Sequence, residues 1–466
     1  MKSISKLTQS LLGLTLLVGC APQLPGGPGP LAGFPRGATS VGRFNAPINA
    51  AAAVNDPLLM TDNFNAWIKL KQRSEGFEGD APSVPVEGET VAQLPTAAPK
   101  ALTYLTYEAL DNNLYQDLNR ILDTLELVGS NPQMNLLAQT DNFGPGNAAR
   151  YLIKQHPQFG EIVSPHVKLG DAAENTGDPR VLADSVKWGF SGYPAKMNWL
   201  NISTHGMGFA GISTDDNPEA SMNIINFNQA VRAGLSGKKL DILSFDACLM
   251  AMVEVGSELK DTANIMVASE DSTYYWGYGY YQTFSKIAAN PAAMNPDQVV
   301  RSMVVDVNNK GASNQTLTIS ATDLRKIGEL EAELDKLARA LRRLMPTQAA
   351  NIIRAAASSR DFHLAAGIPF RDINRLGALL KQNVKDAEVA QIVDRINHVL
   401  YRRGVIMFSR QSKLQNDQGR GLAIYLPTEG KVSGLYRQTR FAKTTQWDEF
   451  LLDLNAAINK AAGVAG

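Results

Sequence analysis

Cysteine is nearly absent from this chain of 466 residues, which contains only Cys20 and Cys248. If Cys20 is acylated, as the residues around it suggest, the exported protein keeps one thiol, and an internal disulfide is excluded. Neither sign of charge is in excess, because 45 basic residues balance 45 acidic ones, and the basic residues form no clustered patch. A nucleic-acid partner is therefore not expected. Internal repeats are also absent.

The N-terminus has the features of an export signal. Lys2 and Lys6 precede an apolar run, Leu11–Val18, which is too short to span a membrane and ends directly before Gly19 and Cys20. A small residue followed by cysteine resembles the bacterial lipobox. We therefore predict a signal peptide over residues 1–19, a lipid-modified Cys20, and a chain anchored to a membrane of the bacterial cell envelope on its extracytoplasmic side. An ordinary signal peptide cut nearby is the alternative.

Composition divides the rest of the chain into three parts. Residues 20–98 are rich in proline and glycine and predict an extended tether, with a short helix at Pro57–Gln72; a removable pro-segment would look the same. Residues 99–322 alternate strand and helix patterns and predict the globular core. Residues 323–466 are expected to be mostly helical, with a late strand at Gly421–Pro427 joining the core sheet.

The core pattern predicts an α/β fold with a mostly parallel sheet and helices on both faces. The first strand is expected at Leu102–Tyr107, and Asp111 is placed to cap a helix that runs to about Val128. Asp178 followed by Pro179 is typical of a further helix start.

Two of the predicted strands end in reactive side chains. Trp199–Thr204 alternates like a strand and ends at His205, and the apolar run Leu240–Phe245 ends shortly before Cys248. In an open α/β sheet, ligands and chemistry are found at the carboxyl ends of the strands. His205 and Cys248 are therefore the candidate catalytic pair. A buried, inert cysteine is the alternative for Cys248.

A thiol attacks a carbonyl group efficiently only as the thiolate. The sequence predicts two influences that lower the pKa of Cys248: the positive end of a helix expected over Leu249–Leu259, and the imidazolium of His205. The backbone N–H groups of Gly206 and Cys248 are expected to bind the developing oxyanion. The remaining histidines are expected to be structural or on the surface: His156, His166, His363 and His398.

These residues carry a resemblance to the clostripain family of cysteine peptidases, within the caspase, legumain and gingipain superfamily. The two catalytic blocks are similar to Asn201–Gly206 and Phe245–Glu254, and the resemblance extends over roughly residues 100–458. Weaker matches keep the family's order: Asp111–Leu114, Tyr193–Ala195, Ser269–Glu270, Gly277, Tyr280, Gly421–Pro427 and Thr445–Phe450.

The resemblance implies a caspase-like fold, a dyad of His205 and Cys248, and cleavage after a basic residue, usually arginine. It places Asp246 in an acidic pocket for that side chain, although Asp246 would serve equally well as a helix cap. Glu270 and Asp271 are further pocket candidates. The aromatic run Tyr274–Trp276 either walls the cleft or packs on the surface.

Two family features fit this sequence less well. Several relatives cleave themselves after a basic residue in the loop beyond the histidine, but Gly206–Val231 contains no lysine or arginine, so self-processing there is not expected. Calcium enters only through the resemblance to relatives that need it. Asp215 and Asp216 offer oxygen ligands in a spacing that matches no metal loop, and we predict no required metal.

The leading hypothesis is therefore a secreted, lipid-anchored endopeptidase that acts on proteins or peptides through a thioester on Cys248. A transpeptidase or transamidase on the same fold would let an amine intercept that thioester. A surface-binding lipoprotein without turnover is the third hypothesis, and the presence of both dyad residues weighs against it.

Overall fold

The computed structural model describes residues 86–87, 99–170, 174–217, 219–273, 278–291, 294–305, 318–362, 368–411, 419–429 and 431–463. The strands are β1 Val86–Glu87, β2 Lys100–Ala109, β3 Met134–Asp141, β4 Ala149–Leu152, β5 His166–Leu169, β6 Ala195–Ser203, β7 Ile212–Asp216, β8 Glu219–Met222, β9 Leu240–Asp246, β10 Ala263–Ser269, β11 Thr318–Asp323, β12 Phe370–Asp372, β13 Ile406–Gln411 and β14 Ala423–Tyr425. The helices are α1 Asp117–Glu126, α2 Pro179–Gly192, α3 Ile224–Leu235, α4 Val253–Leu259, α5 Tyr280–Ala289, α6 Pro296–Val305, α7 Ile327–Ser358, α8 Ile373–Asn383, α9 Ala387–Asn397, α10 Arg440–Thr444 and α11 Trp447–Ala461.

Most strands belong to one sheet with the order β1-β5-β4-β3-β2-β6-β9-β10-β11-β13. Its five central strands, β3, β2, β6, β9 and β10, are parallel. The strands on either side of this centre pair in antiparallel fashion, so the sheet as a whole is mixed. The α/β fold class predicted from the sequence is confirmed, and its parallel part is the centre that carries the two reactive strand ends.

Helices cover both faces of the sheet, as predicted. Successive strand residues point to opposite faces, so Leu200 joins a core with α2 and α3, whereas Trp199 joins the other core with α1, α5 and α6. Both side chains are fully buried. Because both faces are covered, a central strand such as β10 is a nearly continuous apolar run, which made it visible in the sequence.

The C-terminal part is mostly helical, as predicted, but its strands are arranged differently from expectation. Predicted Gly421–Pro427 forms β14, which pairs with β12 in a separate two-stranded sheet. The late strand that joins the main sheet is instead β13, which pairs with β11. The division between residues 322 and 323 remains a prediction, and strands from both sides of it share the main sheet.

Of the two helix caps predicted from the sequence, one is confirmed and the other is wrong. Asp178 caps α2 as predicted, because its carboxylate accepts a hydrogen bond from the Arg180 N–H at 2.7 Å. Asp111 does not cap a helix: α1 begins at Asp117, and Gln116 precedes it.

Among the described helices, none combines the length and the apolar character that crossing a membrane requires.

Candidate active site

The ends of β6 and β9 bring His205 and Cys248 to one edge of the sheet. These strands are adjacent and parallel, with Ser203 paired with Asp246, so each reactive residue follows two positions beyond a matched pair. The loops stay together beyond the strands, because a Cβ atom on Gly206 would lie 2.3 Å from the Cys248 carbonyl oxygen. The predicted pair therefore shares one edge, while the role of each residue stays a prediction.

The turn that carries Cys248 is fixed by the neighbouring strand. Leu249 has a left-handed backbone with φ of 65°, an arrangement that costs about 1–2 kcal/mol for a residue with a side chain. Its N–H donates to the Asp271 carbonyl at 3.2 Å, and the Ala251 N–H donates to the Ser269 carbonyl at 2.9 Å. The end of β10 thus holds the turn, and the Thr273 N–H from the same loop donates to Cys248 Sγ at 3.2 Å.

The expected helix directly after Cys248 is wrong. Helix α4 begins at Val253, and Met252 precedes it without a side-chain cap. The left-handed Leu249 excludes a right-handed helix at that point. A helix dipole acts mainly within its first turn, so α4 does not exert the influence on Cys248 that the sequence predicted. The backbone N–H of Thr273 is instead the donor that the structure places on the sulfur.

The imidazole of His205 is oriented by a residue whose role the sequence analysis missed. His205 Nε2 lies 2.5 Å from Asn113 Oδ1. Because a carbonyl oxygen only accepts, Nε2 carries the proton in the neutral ring and Nδ1 keeps the lone pair. Asn113 lies within Asp111–Leu114, one of the weaker family matches, and only the fold shows that it reaches His205.

The surroundings of His205 favour its neutral form. Although its side chain is only partly buried, desolvation lowers the pKa of His205 to about 4. The imidazolium that was expected to stabilise the thiolate is therefore disfavoured at neutral pH. This ring is better suited to accept a proton from the thiol than to hold a permanent positive charge beside it.

Asp246 lies at the end of β9 and is partly exposed. Burial raises the pKa of Asp246 to about 6, and the nearby Arg120 and the Tyr280 hydroxyl oppose that rise. The Tyr280 hydroxyl donates to Asp246 Oδ2 at 3.2 Å. Since α4 begins at Val253, the alternative that Asp246 caps this helix is excluded. Its carboxylate does not bond to the N-terminus of that helix.

The other two predicted pocket carboxylates have partners within the chain. Glu270 is completely buried and accepts the Gly421 N–H at 2.7 Å, and burial together with Asp372 raises the pKa of Glu270 well above its usual range. Asp271 forms an ion pair with Arg360 at 3.0 Å. Both arrangements make these residues less suited than Asp246 to bind a substrate cation.

Three other histidines have surroundings that agree with structural roles. His156 lies 3.9 Å from Glu126, and His166 stacks on Tyr151 with ring centroids 4.9 Å apart. His398 begins a short π-helical segment, His398–Arg402. The remaining sequence candidates lie outside the described residues: Cys20, Tyr274–Trp276 and His363.

Comparison with known proteins gives one family. The model described as the clostripain family matches residues 106–454 of this chain. Clostripain of Hathewaya histolytica is 26% identical over 235 residues, which cover 42% of this chain and 44% of that protein. The chain thus spans less than half the length of that relative.

Two solved structures share the fold. A secreted C11 cysteine protease from Bacteroides thetaiotaomicron, in complex with an irreversible peptide inhibitor, is 18% identical and covers 76% of this chain and 99% of its own, with a TM-score of 0.53. An inactive zymogen C11 protease from Parabacteroides distasonis is 17% identical and covers 74% of this chain and 98% of its own, with a TM-score of 0.55. At these identities the likeness supports the architecture alone.

Proposed function

Since this chain belongs to the clostripain family of cysteine peptidases, we propose that it is a secreted, lipid-anchored endopeptidase that cleaves after arginine or lysine. The observation that carries the proposal is the parallel pairing of β6 and β9, which ends with His205 and Cys248 on one edge of the sheet. A cysteine and a neutral imidazole at adjacent strand ends form the minimal set for acyl transfer.

The chemistry follows from the state of each group. In the proposed reaction, the Cys248 sulfur attacks the scissile carbonyl carbon while its proton passes to Nδ1 of His205. The carbon–nitrogen bond then breaks, and the imidazolium returns that proton to the leaving amine. Water next attacks the thioester and gives a proton to His205; the carboxylate product leaves and the thiol is restored. The hydrogen bond with Asn113 keeps the His205 ring in the tautomer with an unprotonated Nδ1, which these proton transfers require.

Oxyanion stabilisation is assigned to backbone N–H groups of Gly206 and Cys248. The absence of a side chain at Gly206 supports this role, because a Cβ atom there would press on the Cys248 carbonyl at 2.3 Å. Donors fixed by the backbone need no reorganisation as negative charge develops, which is what makes such groups effective.

Specificity for a basic residue is assigned to Asp246. It is the partly exposed carboxylate of the three candidates, and it ends β9 two positions before Cys248. A guanidinium bound to a desolvated carboxylate forms short, charge-assisted hydrogen bonds. Nearby Arg120 already influences Asp246, so a substrate arginine would add a second cation to this carboxylate.

The N-terminal sequence supports the proposed location. Gly19–Cys20 after a short apolar run is typical of lipoprotein export, and residues 20–98 would hold the peptidase away from the membrane of the cell envelope. Protein or peptide substrates outside the cytoplasm are the proposed partners.

The test uses the two cysteines as a matched pair. Fluorogenic peptides that vary only the residue before the scissile bond are assayed with wild type, Cys248→Ala and Cys20→Ser. We expect Cys248→Ala to abolish hydrolysis, and Cys20→Ser to keep it while releasing the protein from the membrane fraction. Hydrolysis that survives in Cys248→Ala would refute the mechanism, and preference for aspartate or asparagine would refute the assigned pocket.

A further inference from the structure

Two aromatic side chains belong to loops at the same edge of the sheet as His205. Tyr115 follows Asn113 by two positions in the turn between β2 and α1, and Phe143 lies in the loop between β3 and β4. Their ring centroids are 5.6 Å apart, with an angle of 43° between the ring planes. Phe143 is 43% exposed, and Tyr115 is partly buried. The proposed reaction uses neither ring.

Hydrogen bonds hold both loops in place. The Tyr115 N–H donates to the Asn112 carbonyl at 3.2 Å, and Asn112 Nδ2 donates to the Thr214 carbonyl of β7 at 2.9 Å. In the other loop, Asn147 Nδ2 donates to the Phe143 carbonyl at 2.9 Å. A side chain on a fixed backbone loses less conformational entropy when a ligand packs against it, so this aromatic pair is preorganised for binding.

The order of the strands places the aromatic pair on the leaving-group side of the scissile bond. In the main sheet, β9 precedes Cys248, the adjacent β6 precedes His205, and β2 and then β3 come next. In the proposed reaction the thiol takes the acyl part of the substrate, while His205 protonates the leaving amine. The residues after the scissile bond therefore extend from His205 toward the loops that follow β2 and β3.

The contact between Asn113 and His205 sets the distance that the substrate must cover. Asn113 Oδ1 is 2.5 Å from Nε2 of the imidazole. Tyr115 is two residues further along the chain, which adds at most about 7 Å. An extended substrate advances about 3.3–3.6 Å per residue. The aromatic pair is therefore within reach of the first three residues after the scissile bond.

We propose that Tyr115 and Phe143 form a subsite for an apolar side chain, best matched by an aromatic one, within the three residues that follow the scissile bond. A third ring would pack against these two at centroid distances of about 4.5–7 Å, the range that aromatic groups prefer. The occupant is the substrate, because the turn that carries Tyr115 also carries Asn113, which contacts His205. The subsite rests on the proposed peptidase activity and does not involve Asp246.

The experiment varies only the leaving side of the substrate. Fluorogenic peptides keep arginine before the scissile bond and carry phenylalanine or serine at the first, second or third position after it. At one of these positions, wild type should hydrolyse the phenylalanine peptide with a kcat/KM about fivefold above that of its serine counterpart, chiefly through a lower KM. The ratio within each pair of peptides removes effects on the dyad itself.

Matched variants assign the preference to the aromatic pair. Phe143→Ala should remove most of it, and Tyr115→Phe should keep it, because the ring is retained. Phe159→Ala is the control: Phe159 is 61% exposed, but the next residue, Gly160, donates to Asp123, in the half of α1 away from Tyr115. This control should keep the wild-type ratio.

A second readout uses the acyl-enzyme. When an amine is added, its nitrogen attacks the thioester carbonyl carbon, the carbon–sulfur bond breaks, and a proton of the amine passes through His205 to the sulfur. Phenylalaninamide should compete with water better than serinamide in wild type, and the two should compete equally in Phe143→Ala. Because both amines meet the same acyl-enzyme, the pocket for arginine does not affect this comparison.

Three results would overturn the subsite. They are equal rates for the phenylalanine and serine peptides of wild type at all three positions, a preference that survives unchanged in Phe143→Ala, and a preference that Phe159→Ala removes equally. Thermal melting identifies a variant that has not folded, and Tyr115→Ala, which should lose the same preference, then replaces Phe143→Ala.

Failure of the proposed function would look different. A wild type that hydrolyses none of the peptides would refute the peptidase activity. Binding of the uncleaved phenylalanine and serine peptides to Cys248→Ala, measured by fluorescence anisotropy, would still decide the subsite. Tighter binding of the phenylalanine peptide would support it, and equal binding would refute it.

Discussion

The assigned role of Asp246 makes the pH dependence of specificity measurable. The pKa of Asp246 is raised to about 6, chiefly by burial. Only the ionised form can pair with a guanidinium, so binding of an arginine substrate should improve as the pH rises through about 6. A group with this pKa is about nine-tenths ionised at pH 7 and about one-tenth at pH 5. The advantage of arginine should therefore fall about tenfold over that interval.

The assay compares two peptides that differ only in arginine or glutamine before the scissile bond. Their ratio of kcat/KM removes the titration of His205 and Cys248, because both substrates use the same dyad. Asp246→Asn should lower the ratio by about tenfold or more at pH 7, since charge-assisted hydrogen bonds contribute about 1.5–3 kcal/mol. The ratio should then no longer depend on pH.

Tyr280→Phe provides a graded control. It removes the hydroxyl that donates to Asp246 at 3.2 Å and favours the ionised form. The midpoint of the ratio should therefore move to higher pH while the plateau stays high. A wild-type ratio that is flat between pH 5 and 7, or an Asp246→Asn ratio that still titrates there, would refute the assignment.

Three further predictions concern stability. Gly206→Ala should destabilise the protein by about 1–3 kcal/mol in denaturant titrations, because its Cβ would lie 2.3 Å from the Cys248 carbonyl oxygen; an unchanged midpoint would contradict this. Burial raises the pKa of Glu254 to about 8, above its unfolded value, so its contribution to stability is full below about pH 4 and is lost as the pH rises through 8. Tm should fall from pH 5 to 9, and Glu254→Gln should reduce that fall; an equal fall would refute the role of this carboxyl group. Arg371 forms a buried ion pair with Asp361 at 3.0 Å, so Arg371→Leu should cost about 3–5 kcal/mol, and adding Asp361→Leu should recover much of that loss; no recovery would show that the charge left behind is not the cause.

The central strands and their reactive ends could be predicted because the signals are local. Runs such as Leu240–Phe245 are mainly apolar, and in open sheets the residues that follow such strands lie at one edge. The start of α2 was equally clear, because Asp178 and Pro179 act within their own turn. Helices on both faces followed from the alternation of strand and helix.

The missed features depend on contacts that sequence distance hides. The local sequence does not predict the left-handed backbone of Leu249, because leucine rarely adopts that conformation. Hydrogen bonds to the end of β10 and the loop after it stabilise this backbone. β13 has only 6 residues, is partly exposed and follows a long helical stretch, so its sequence pattern did not identify it as a strand. The contact of Asn113 with His205 joins residues 92 positions apart, and no spacing rule reaches that far.

The position of β14 late in the chain determines when the turn around Cys248 can form. The Ala423 N–H donates to the Ala251 carbonyl at 2.9 Å, and the Gly421 N–H donates to Glu270, so the loops around Cys248 take their supports from nearly the far end of the polypeptide. A ribosome must release almost the entire chain before those supports exist. The Cys248 turn would therefore reach its final order only after almost all of the chain has been synthesised.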